Sequence, residues 1–311
     1  MHAATPPQRV RVLVNPRAGT GGGAAALREG FGGLARIEEI EPAALRAALD
    51  GAVAAGDPVV GVAGGDGTMH TAAAALVDTH TALLPIPTGT LNHFARRHGI
   101  ESIAAAAAAL RAGRVRRVAV GTLDGRYFLN TLTFGEYSRM LRMRERMRRY
   151  TGKWVAAFLA GIATLATLRR FTVRLEVDGR VLTRRTPIVW IGLGYGSFPR
   201  VHDALEQRTS PDLEVTMSRA MSRPAAIGLV ARLSRRMLRA GTPLRDARLE
   251  VLHTRRLTLI AGPAPDARAG GVRIDATADG ELMRVALPVT IGVSDGALRV
   301  IGGEERPGSR S

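Results

Sequence analysis

Apolar runs of strand length alternate with helix-like segments from Arg9 to Ala112. The pattern predicts strands at Arg9–Val14, Ile37–Ile40, Pro58–Ala63 and Leu83–Ile86, and helices at Ala24–Gly30, Pro42–Ala55, Met69–Val77, from Asn92, and at Ile103–Ala112. Such alternation is typical of a parallel sheet with helices on both faces. In sheets of this kind, ligands bind beyond the carboxyl ends of the strands.

The pattern changes after Gly113, where short strands follow one another and turn residues separate them. Predicted strands are Arg116–Val120, Arg126–Asn130, Arg170–Val177, Arg180–Thr186, Ile188–Leu193, Leu213–Met217, Ala247–Leu252, Leu257–Ala261, Arg284–Thr290 and Ala297–Ile301. Asp178-Gly179 is a strong signal for a two-residue hairpin turn. Two helical insertions are predicted, at about Ser138–Leu168 and at Pro224–Leu238. This part therefore predicts an antiparallel β-sandwich.

Charge adds information about partners. The chain has 44 basic and 27 acidic residues, a net charge of +17, and Lys153 is its only lysine. A GC-rich genome explains the preference for arginine but not the excess, which favours anionic partners such as membrane surfaces or nucleotides. Aromatic residues make up 4% of the chain, too few for base-stacking platforms, so we expect no nucleic-acid partner.

Several functional classes are excluded by what the sequence lacks. There is no cysteine, which rules out disulfides and thiolate chemistry. The first residues show no signal-peptide pattern. The longest apolar stretch, Trp154–Leu168, is shorter than the roughly 20 residues of a spanning helix. We therefore expect a cytoplasmic protein that contacts the inner face of a membrane only peripherally.

The most informative segment is Gly64-Gly65-Asp66-Gly67-Thr68, directly behind the third predicted strand. Glycines allow a backbone to approach a bulky anion, and the N–H groups at a helix start point toward it. The carboxylate of Asp66 fits this site if a divalent cation bridges it to a phosphate. The alternative is an ordinary tight turn between a strand and a helix.

Two further turns repeat this logic at neighbouring strand ends. Pro87-Thr88-Gly89-Thr90-Leu91-Asn92 follows the fourth strand, and Asn15-Pro16-Arg17-Ala18-Gly19 follows the first. Neither is a Walker A loop, and neither fits the dinucleotide pattern G-x-G-x-x-G. The three turns together predict a nucleotide site.

These segments resemble the catalytic domain shared by diacylglycerol kinases, sphingosine kinases and related bacterial lipid kinases. The resemblance runs from Val10 to about Ile301, and it includes Asp279-Gly280-Glu281 near the end of the second domain. NAD kinases share the Gly-Gly-Asp-Gly core. The Pro-x-Gly-Thr-x-Asn and Asn-Pro-x-Ala-Gly segments favour the lipid-kinase branch.

The resemblance implies an ATP- and Mg²⁺-dependent lipid kinase with two domains. Its fold class is α/β plus all-β: a Rossmann-like nucleotide domain at 9–114, a β-sandwich domain for the lipid substrate at 115–302, and an active site in the cleft between them. Residues 1–8 and 303–311 are predicted to be disordered tails.

The resemblance also implies roles for individual residues. Asp66 and Glu281 are the candidate catalytic residues, with Asp66 holding Mg²⁺ and Glu281 acting as general base on the lipid hydroxyl. Nucleotide binding is assigned to Asn15, Gly64, Gly65, Gly67, Thr68, Thr88, Gly89, Thr90 and Asn92. Without the resemblance, Asp279-Gly280-Glu281 is more simply a hairpin turn.

Two departures from the family pattern are visible. His93 stands where many members have aspartate after the asparagine. The segment Ser210–Val215 replaces the usual Asp-Gly-x-Leu-Asp strand, and in it Asp212 is a candidate ligand of a structural metal.

Other functions stay open at this point. A helix with methionines on one side and arginines beside them, Arg139–Trp154, either docks on an anionic membrane or packs on the sandwich. The chain is alternatively an NAD kinase-like phosphotransferase, or a basic membrane-binding module with weakened catalysis. The sequence identifies neither the lipid that is phosphorylated nor the oligomeric state, for which a homodimer stays open.

Overall fold

The structure, a computed structural model, describes residues 9–15, 23–151, 170–193, 212–218, 228, 249–261 and 273–302. The chain forms two compact units, Met1–Val120 with Ser294–Ser311, and Gly121–Val293. The domains predicted from the sequence, 9–114 and 115–302, differ from these units at 115–120 and 294–302. Both predicted tails lie outside the described residues.

The first unit is built on a parallel sheet. Its strands are β1 (Val10–Val14), β2 (Ala35–Glu39), β3 (Val59–Gly64) and β4 (Ala82–Pro87), in the order β2-β1-β3-β4. The helices are α1 (Gly23–Phe31), α2 (Leu45–Ala54), α3 (Asp66–Leu76), α4 (His93–Arg97) and α5 (Ile103–Ala112), with 3-10 turns at Gly32–Leu34 and Pro42–Ala44. All three strand pairs are parallel, as the alternating pattern predicts.

Small residues let neighbouring strands and neighbouring helices approach closely. A Cβ on Gly61 of β3 would lie 2.7 Å from Val12 Cγ2, and one on Gly30 of α1 would lie 2.6 Å from Ile103 Cγ2 of α5. Helix α5 is well delimited, because Ser102 Oγ accepts the Ala105 N–H at 3.1 Å and Gly113 ends the helix with a positive φ. Gly61 thus allows β1 and β3 to pair without a side-chain clash, and Gly30 allows α1 to pack against α5.

The second unit is a sandwich of two antiparallel layers. Its elements are β5 (Val115–Leu123), β6 (Arg126–Phe128), β7 (Thr131–Gly135), α6 (Glu136–Thr151), β8 (Phe171–Val177), β9 (Arg180–Thr186), β10 (Ile188–Leu193), β11 (Leu213–Ser218), β12 (Leu249–Thr254), β13 (Arg256–Ala261), β14 (Arg273–Ala278), β15 (Glu281–Ala286) and β16 (Val289–Ile301). Strands β5 and β16 are shared with the first unit, which includes β5 up to Val120 and β16 from Ser294. One layer has the order β12-β11-β10-β7-β14-β15, and the other runs β16-β13-β8-β9, with β5 beside β16 and β6 beside β5. Both layers contribute to one buried core, for example Phe134 and Ile191 from the first and Leu175 and Leu259 from the second. The predicted sandwich is confirmed.

Three Asp-Gly pairs form the hairpin turns of this unit. Both residues have positive φ at Asp124-Gly125, Asp178-Gly179 and Asp279-Gly280. Positive φ at two successive positions is the geometry that favours this dipeptide. The hairpin predicted at Asp178-Gly179 is confirmed, because β8 pairs with β9 across this turn, with Val177 opposite Arg180.

Several predicted boundaries were wrong. Helix α3 begins at Asp66 rather than Met69, because Gly65 C=O accepts the Met69 N–H and the glycine segment itself forms the first turn. The single strand predicted at Arg284–Thr290 is divided between β15 and β16. Pro288 lies in the interruption, where it has no N–H to give to a ladder.

Two strands were missed, β7 and β14, although they pair with each other inside the second layer. The first predicted insertion is helical from Glu136 to Thr151, and its remainder lies outside the described residues, as does Pro224–Leu238 apart from Gly228. In the described ranges, the helices are all too short or too polar to traverse a bilayer.

Candidate active site

The glycine segment lies at the carboxyl end of β3 and runs directly into α3. Gly64 is buried at this point, and a Cβ there would overlap the side chain of Thr68 one turn along the helix. Gly65 precedes the helix and has no side chain that could cap it. The N–H groups of the first helical turn have no partner within a helix. The amides of Gly67 and Thr68 are therefore placed to donate to an anion.

The second glycine turn contacts the first, backbone against backbone. A Cβ on Gly89 would lie 2.5 Å from Gly65 Cα and 3.1 Å from Gly65 N. The Thr88 N–H also donates to the Gly64 C=O at 3.3 Å. Because β3 and β4 are parallel neighbours, their carboxyl ends bring Gly64–Thr68 and Thr88–Asn92 together, as the sequence predicted.

Asn92 braces this second turn. Its Oδ1 accepts the Gly89 N–H at 2.9 Å, and its Nδ2 donates to the Gly89 C=O at 2.8 Å. The residue is buried and adopts a left-handed backbone with φ 52°. Asparagine tolerates this conformation better than most residues. Asn92 therefore determines the shape of the turn, with both polar atoms of its side chain bonded to Gly89.

Asp66 connects the same two segments. Its Oδ1 accepts the Phe94 N–H, at the start of α4, at 3.1 Å. No residue in the described part of the chain donates a hydrogen bond to the other oxygen, Oδ2, and the residue is half-buried. A carboxylate held in this way keeps one oxygen available for a cation.

The threonines and Asn15 complete the predicted set. Thr88 Oγ1 is buried and has no hydrogen-bond partner in the described ranges, whereas Thr68 is half-buried and Thr90 is exposed. A buried hydroxyl without a partner is costly, and a ligand that accepts its hydrogen bond removes the cost. Asn15 lies at the carboxyl end of β1, and residues 16–22 lie outside the described part.

Directly after helix α4, His98 is a histidine whose proton affinity is strongly altered. The His98 ring packs against Phe94, with ring centroids 4.6 Å apart. Burial, with the positive charges of Arg97 and Arg116, lowers the pKa of His98 to about 3. This histidine is neutral at physiological pH and acts as a packing residue.

Asp279-Gly280-Glu281 forms the turn between β14 and β15, in the second unit. Glu281 is exposed and is the first residue of β15, opposite Ala278. Asp279 accepts three backbone N–H groups, from Leu129 at 2.7 Å, Asn130 at 2.7 Å and Thr131 at 3.0 Å. This function of Asp279 was missed, although its position beside the candidate base was a signal.

Asp212 directly precedes β11 and is half-buried. Across the described ranges, no three His, Asp or Glu side chains are grouped as a metal site would require. Its neighbour Glu214 is buried, and this burial raises the pKa of the carboxyl group. The metal role of Asp212 therefore stays a prediction, as does the cleft between the two units.

Mg²⁺ is commonly held by one or two carboxylates together with substrate phosphates and water, rather than by a complete protein cage. Asp66, with one available oxygen beside the N-terminus of α3, fits that requirement. The Thr88 hydroxyl, which has no hydrogen-bond partner among the described residues, can donate to a phosphate oxygen. The close backbone contact at Gly89 leaves room for a phosphate chain. The residues present thus suit ATP and a divalent cation.

The chain is similar to known proteins in sequence and in fold. Residues 9–123 match the model of the diacylglycerol kinase catalytic domain. A "Diacylglycerol kinase" of Bacillus subtilis is 33% identical over 143 residues, which are 44% of this chain and 46% of that protein. A Pseudomonas aeruginosa protein named "Probable lipid kinase YegS-like" is 35% identical over 161 residues, half of each chain.

The chain thus spans about half the length of the curated relatives it matches. A crystal structure of a diacylglycerol kinase from Bacillus anthracis is similar with a TM-score of 0.67, over 96% of this chain and 98% of that one. Its 18% sequence identity limits that likeness to the fold. Over residues 9–123, the chain is thus similar in sequence to the diacylglycerol kinase catalytic domain.

Proposed function

We propose that this protein is an ATP- and Mg²⁺-dependent lipid kinase, which transfers the γ-phosphoryl group of ATP to a hydroxyl of a membrane-derived lipid. The observation that carries the proposal is the contact between Gly65 and Gly89 beside the unpartnered Thr88 hydroxyl. This contact leaves a backbone surface without side chains, next to donors that need an acceptor. A kinase fold with that surface fits a polyphosphate better than an apolar ligand.

The residues of the first unit would bind and orient the phosphates. The amides of Gly67 and Thr68 donate from the start of α3, the Thr88 hydroxyl donates from the facing turn, and Asp66 Oδ2 holds the cation. Bound MgATP supplies the phosphoryl group, with its charge partly neutralised. Gly89 and Asn92 keep the two turns in contact.

The second unit would supply the acceptor side. Glu281 is exposed, so its carboxylate can accept the proton of a lipid hydroxyl. Phosphoryl transfer depends mainly on positioning and on charge neutralisation, and one oriented carboxylate is enough to direct the attacking oxygen. The pairing of Glu281 with Asp66 across the two units is part of this proposal.

The proposed partner is the surface of an anionic membrane, where the lipid substrate resides. The charge of +17 supports it. Helix α6 supplies only part of that charge, because Arg139 bonds to Glu136 and Arg142 pairs with Asp275 of β14. Among the side chains of this helix that the structure describes, Arg146 is the exposed arginine, and it is suited to lipid headgroups.

A direct assay tests the proposal. Purified protein is given Mg²⁺ and γ-labelled ATP with mixed micelles of diacylglycerol, a sphingoid base, ceramide, phosphatidylglycerol or a polyprenol. NAD is included as a non-lipid acceptor. We expect label in one lipid class and none in NADP. Label in NADP alone would establish the NAD kinase alternative.

Asp66→Asn should lower the rate of phosphorylation by about 10²-fold or more, because a cation contact is lost. Asp78→Asn is the matched control, since Asp78 is exposed just beyond the end of the same helix and loses the same charge. Its rate should equal that of the wild type. If no lipid is labelled, or if both variants behave alike, the proposed function is wrong.

A further inference from the structure

We infer that Asp279 is a positioning residue for the candidate base Glu281, and that it acts by fixing the β14–β15 turn to the β6–β7 connection. The inference rests on the proposed function, because it assumes that Glu281 accepts a proton from the substrate. The anchoring itself is a structural property and can be measured without any substrate.

The carboxylate of Asp279 is surrounded by backbone donors. Oδ2 accepts the Leu129 N–H, and Oδ1 accepts both the Asn130 and the Thr131 N–H, all within 3.0 Å. The Asp279 N–H in turn donates to the Thr131 C=O at 2.9 Å. Four hydrogen bonds therefore join one residue to three consecutive residues that are distant in sequence. Bonds to an ionised carboxylate are stronger than bonds between neutral groups.

The other two Asp-Gly turns of the unit show that this anchor is not needed for a hairpin. Asp178 has the same backbone, with φ 49°, and its Oδ1 receives one weak bond from Thr254 Oγ1 at 3.3 Å. Asp124 has φ 46° and is exposed. All three turns join regular strands, so the three backbone donors around Asp279 serve a purpose beyond chain reversal.

That purpose is evident from the position of Glu281. Glu281 lies two residues beyond Asp279, at an exposed end of β15, which among the described strands pairs with β14 alone. An exposed strand end moves easily unless something holds the turn. The strand β7 that follows Thr131 lies in the middle of its layer, so it is a rigid support. Asp279 transfers that rigidity to the turn that carries the base.

Asp279→Asn tests the inference. Asparagine also tolerates a positive φ, so the turn keeps its shape, but the amide NH₂ faces backbone donors instead of accepting from them. We expect kcat for lipid phosphorylation to fall about 10- to 100-fold, because the Glu281 carboxylate is displaced from the position in which it accepts the proton. The KM for ATP should be unchanged. Asp124→Asn and Asp178→Asn are matched controls that should retain the wild-type kcat.

A double variant separates positioning from general damage. If Asp279 acts through Glu281, then Asp279→Asn combined with Glu281→Gln should be no slower than Glu281→Gln alone. The inference would be overturned if the double variant lost kcat by the product of the two single losses. It would also be overturned if a fully folded Asp279→Asn kept the wild-type kcat. Should Asp279→Asn fail to fold, Asp279→Gly removes the carboxylate without strain at this φ.

Hydrogen exchange supplies a readout that does not depend on catalysis. The amides of Leu129, Asn130 and Thr131 should exchange at least about tenfold faster in Asp279→Asn, since each loses a charged acceptor. Unchanged exchange would refute the anchor even if lipid phosphorylation is confirmed. Conversely, faster exchange in a protein that phosphorylates no lipid would refute the proposed function and leave the anchor in place.

Discussion

Replacing Gly89 with alanine should force the two phosphate-facing turns apart. The new Cβ would lie 2.5 Å from Gly65 Cα and 2.9 Å from Asn92 Oδ1. Carbon atoms prefer separations of about 3.5–4.0 Å, so one backbone must move by roughly 1 Å. Backbone shifts of that kind cost about 1–3 kcal/mol of folding free energy.

The reciprocal substitution is a control within the same contact. A Cβ on Gly65 would lie 3.4 Å from Gly89 Cα, which is ordinary contact, and the φ of Gly65 is −93°, which alanine accepts. Gly65→Ala should therefore change the free energy of unfolding by less than about 0.5 kcal/mol. Both substitutions add a Cβ to the same contact, but only the Cβ of Gly89→Ala overlaps the facing backbone.

Thermal unfolding without nucleotide measures this difference. Each kcal/mol lowers the midpoint by about 2–4 °C in a protein unit of this size, so Gly89→Ala should unfold several degrees below Gly65→Ala. The apparent affinity for MgATP should also fall in Gly89→Ala, because the donors of the two turns no longer converge. Equal unfolding temperatures for the two variants would show that the turns are not in contact, and the proposed phosphate site would lose its basis.

Three other predictions follow from the described contacts. The pKa of His98 is lowered to about 3 in the folded protein, so between pH 7 and pH 5 the unfolded chain binds a proton that the folded chain does not. About 2 kcal/mol of stability should therefore be lost over this pH range. Urea unfolding of His98→Gln should show a smaller loss, and an equal loss would contradict the assignment. Arg146→Glu should weaken sedimentation with anionic vesicles without changing the unfolding temperature, and unchanged sedimentation would exclude a role of α6 in membrane docking. Arg142→Glu should lower the unfolding temperature, because Asp275 loses one of its two arginine partners, the other being Arg284. Ser138→Ala should destabilise the protein by about 1–3 kcal/mol, because the buried Ser138 hydroxyl donates to the Thr133 C=O and accepts from Thr277 Oγ1. No change in chemical denaturation would show that solvent replaces these bonds.

Local patterns predicted the strands that end at the candidate site. β3 and β4 are short apolar runs followed by glycine turns, and their parallel pairing follows from the alternation with helices. The convergence of Gly64–Thr68 with Thr88–Asn92 was therefore predictable. The direct contact between Gly65 and Gly89 was not, because it depends on how closely two turns approach after folding.

Other features depended on distant partners that a local pattern does not show. Thr131-Leu132-Thr133-Phe134 alternates as a strand should, but it was obscured by the helical signal that begins at Glu136. The bond from the Phe94 N–H to Asp66, at the start of α3, spans 28 positions of sequence. The anchor at Asp279 spans about 150 positions, and the dipeptide itself predicts only a turn.

The strands β5 and β16 each belong to both units, and this has a practical consequence. β5 passes from the first unit to the second after Val120, and β16 returns at Ser294. Their bonds, from Arg117 Nε to Gly296 C=O and from Gly302 N–H to Arg114 C=O, show that the two strands run antiparallel. The second unit is thus an insertion into the first, and the two strands of the first unit that lead into and out of it are adjacent. Removing residues 121–293 and closing the gap with an Asn-Gly hairpin should yield a small nucleotide-binding protein, whereas simple truncation after Val120 would discard a strand of its sheet.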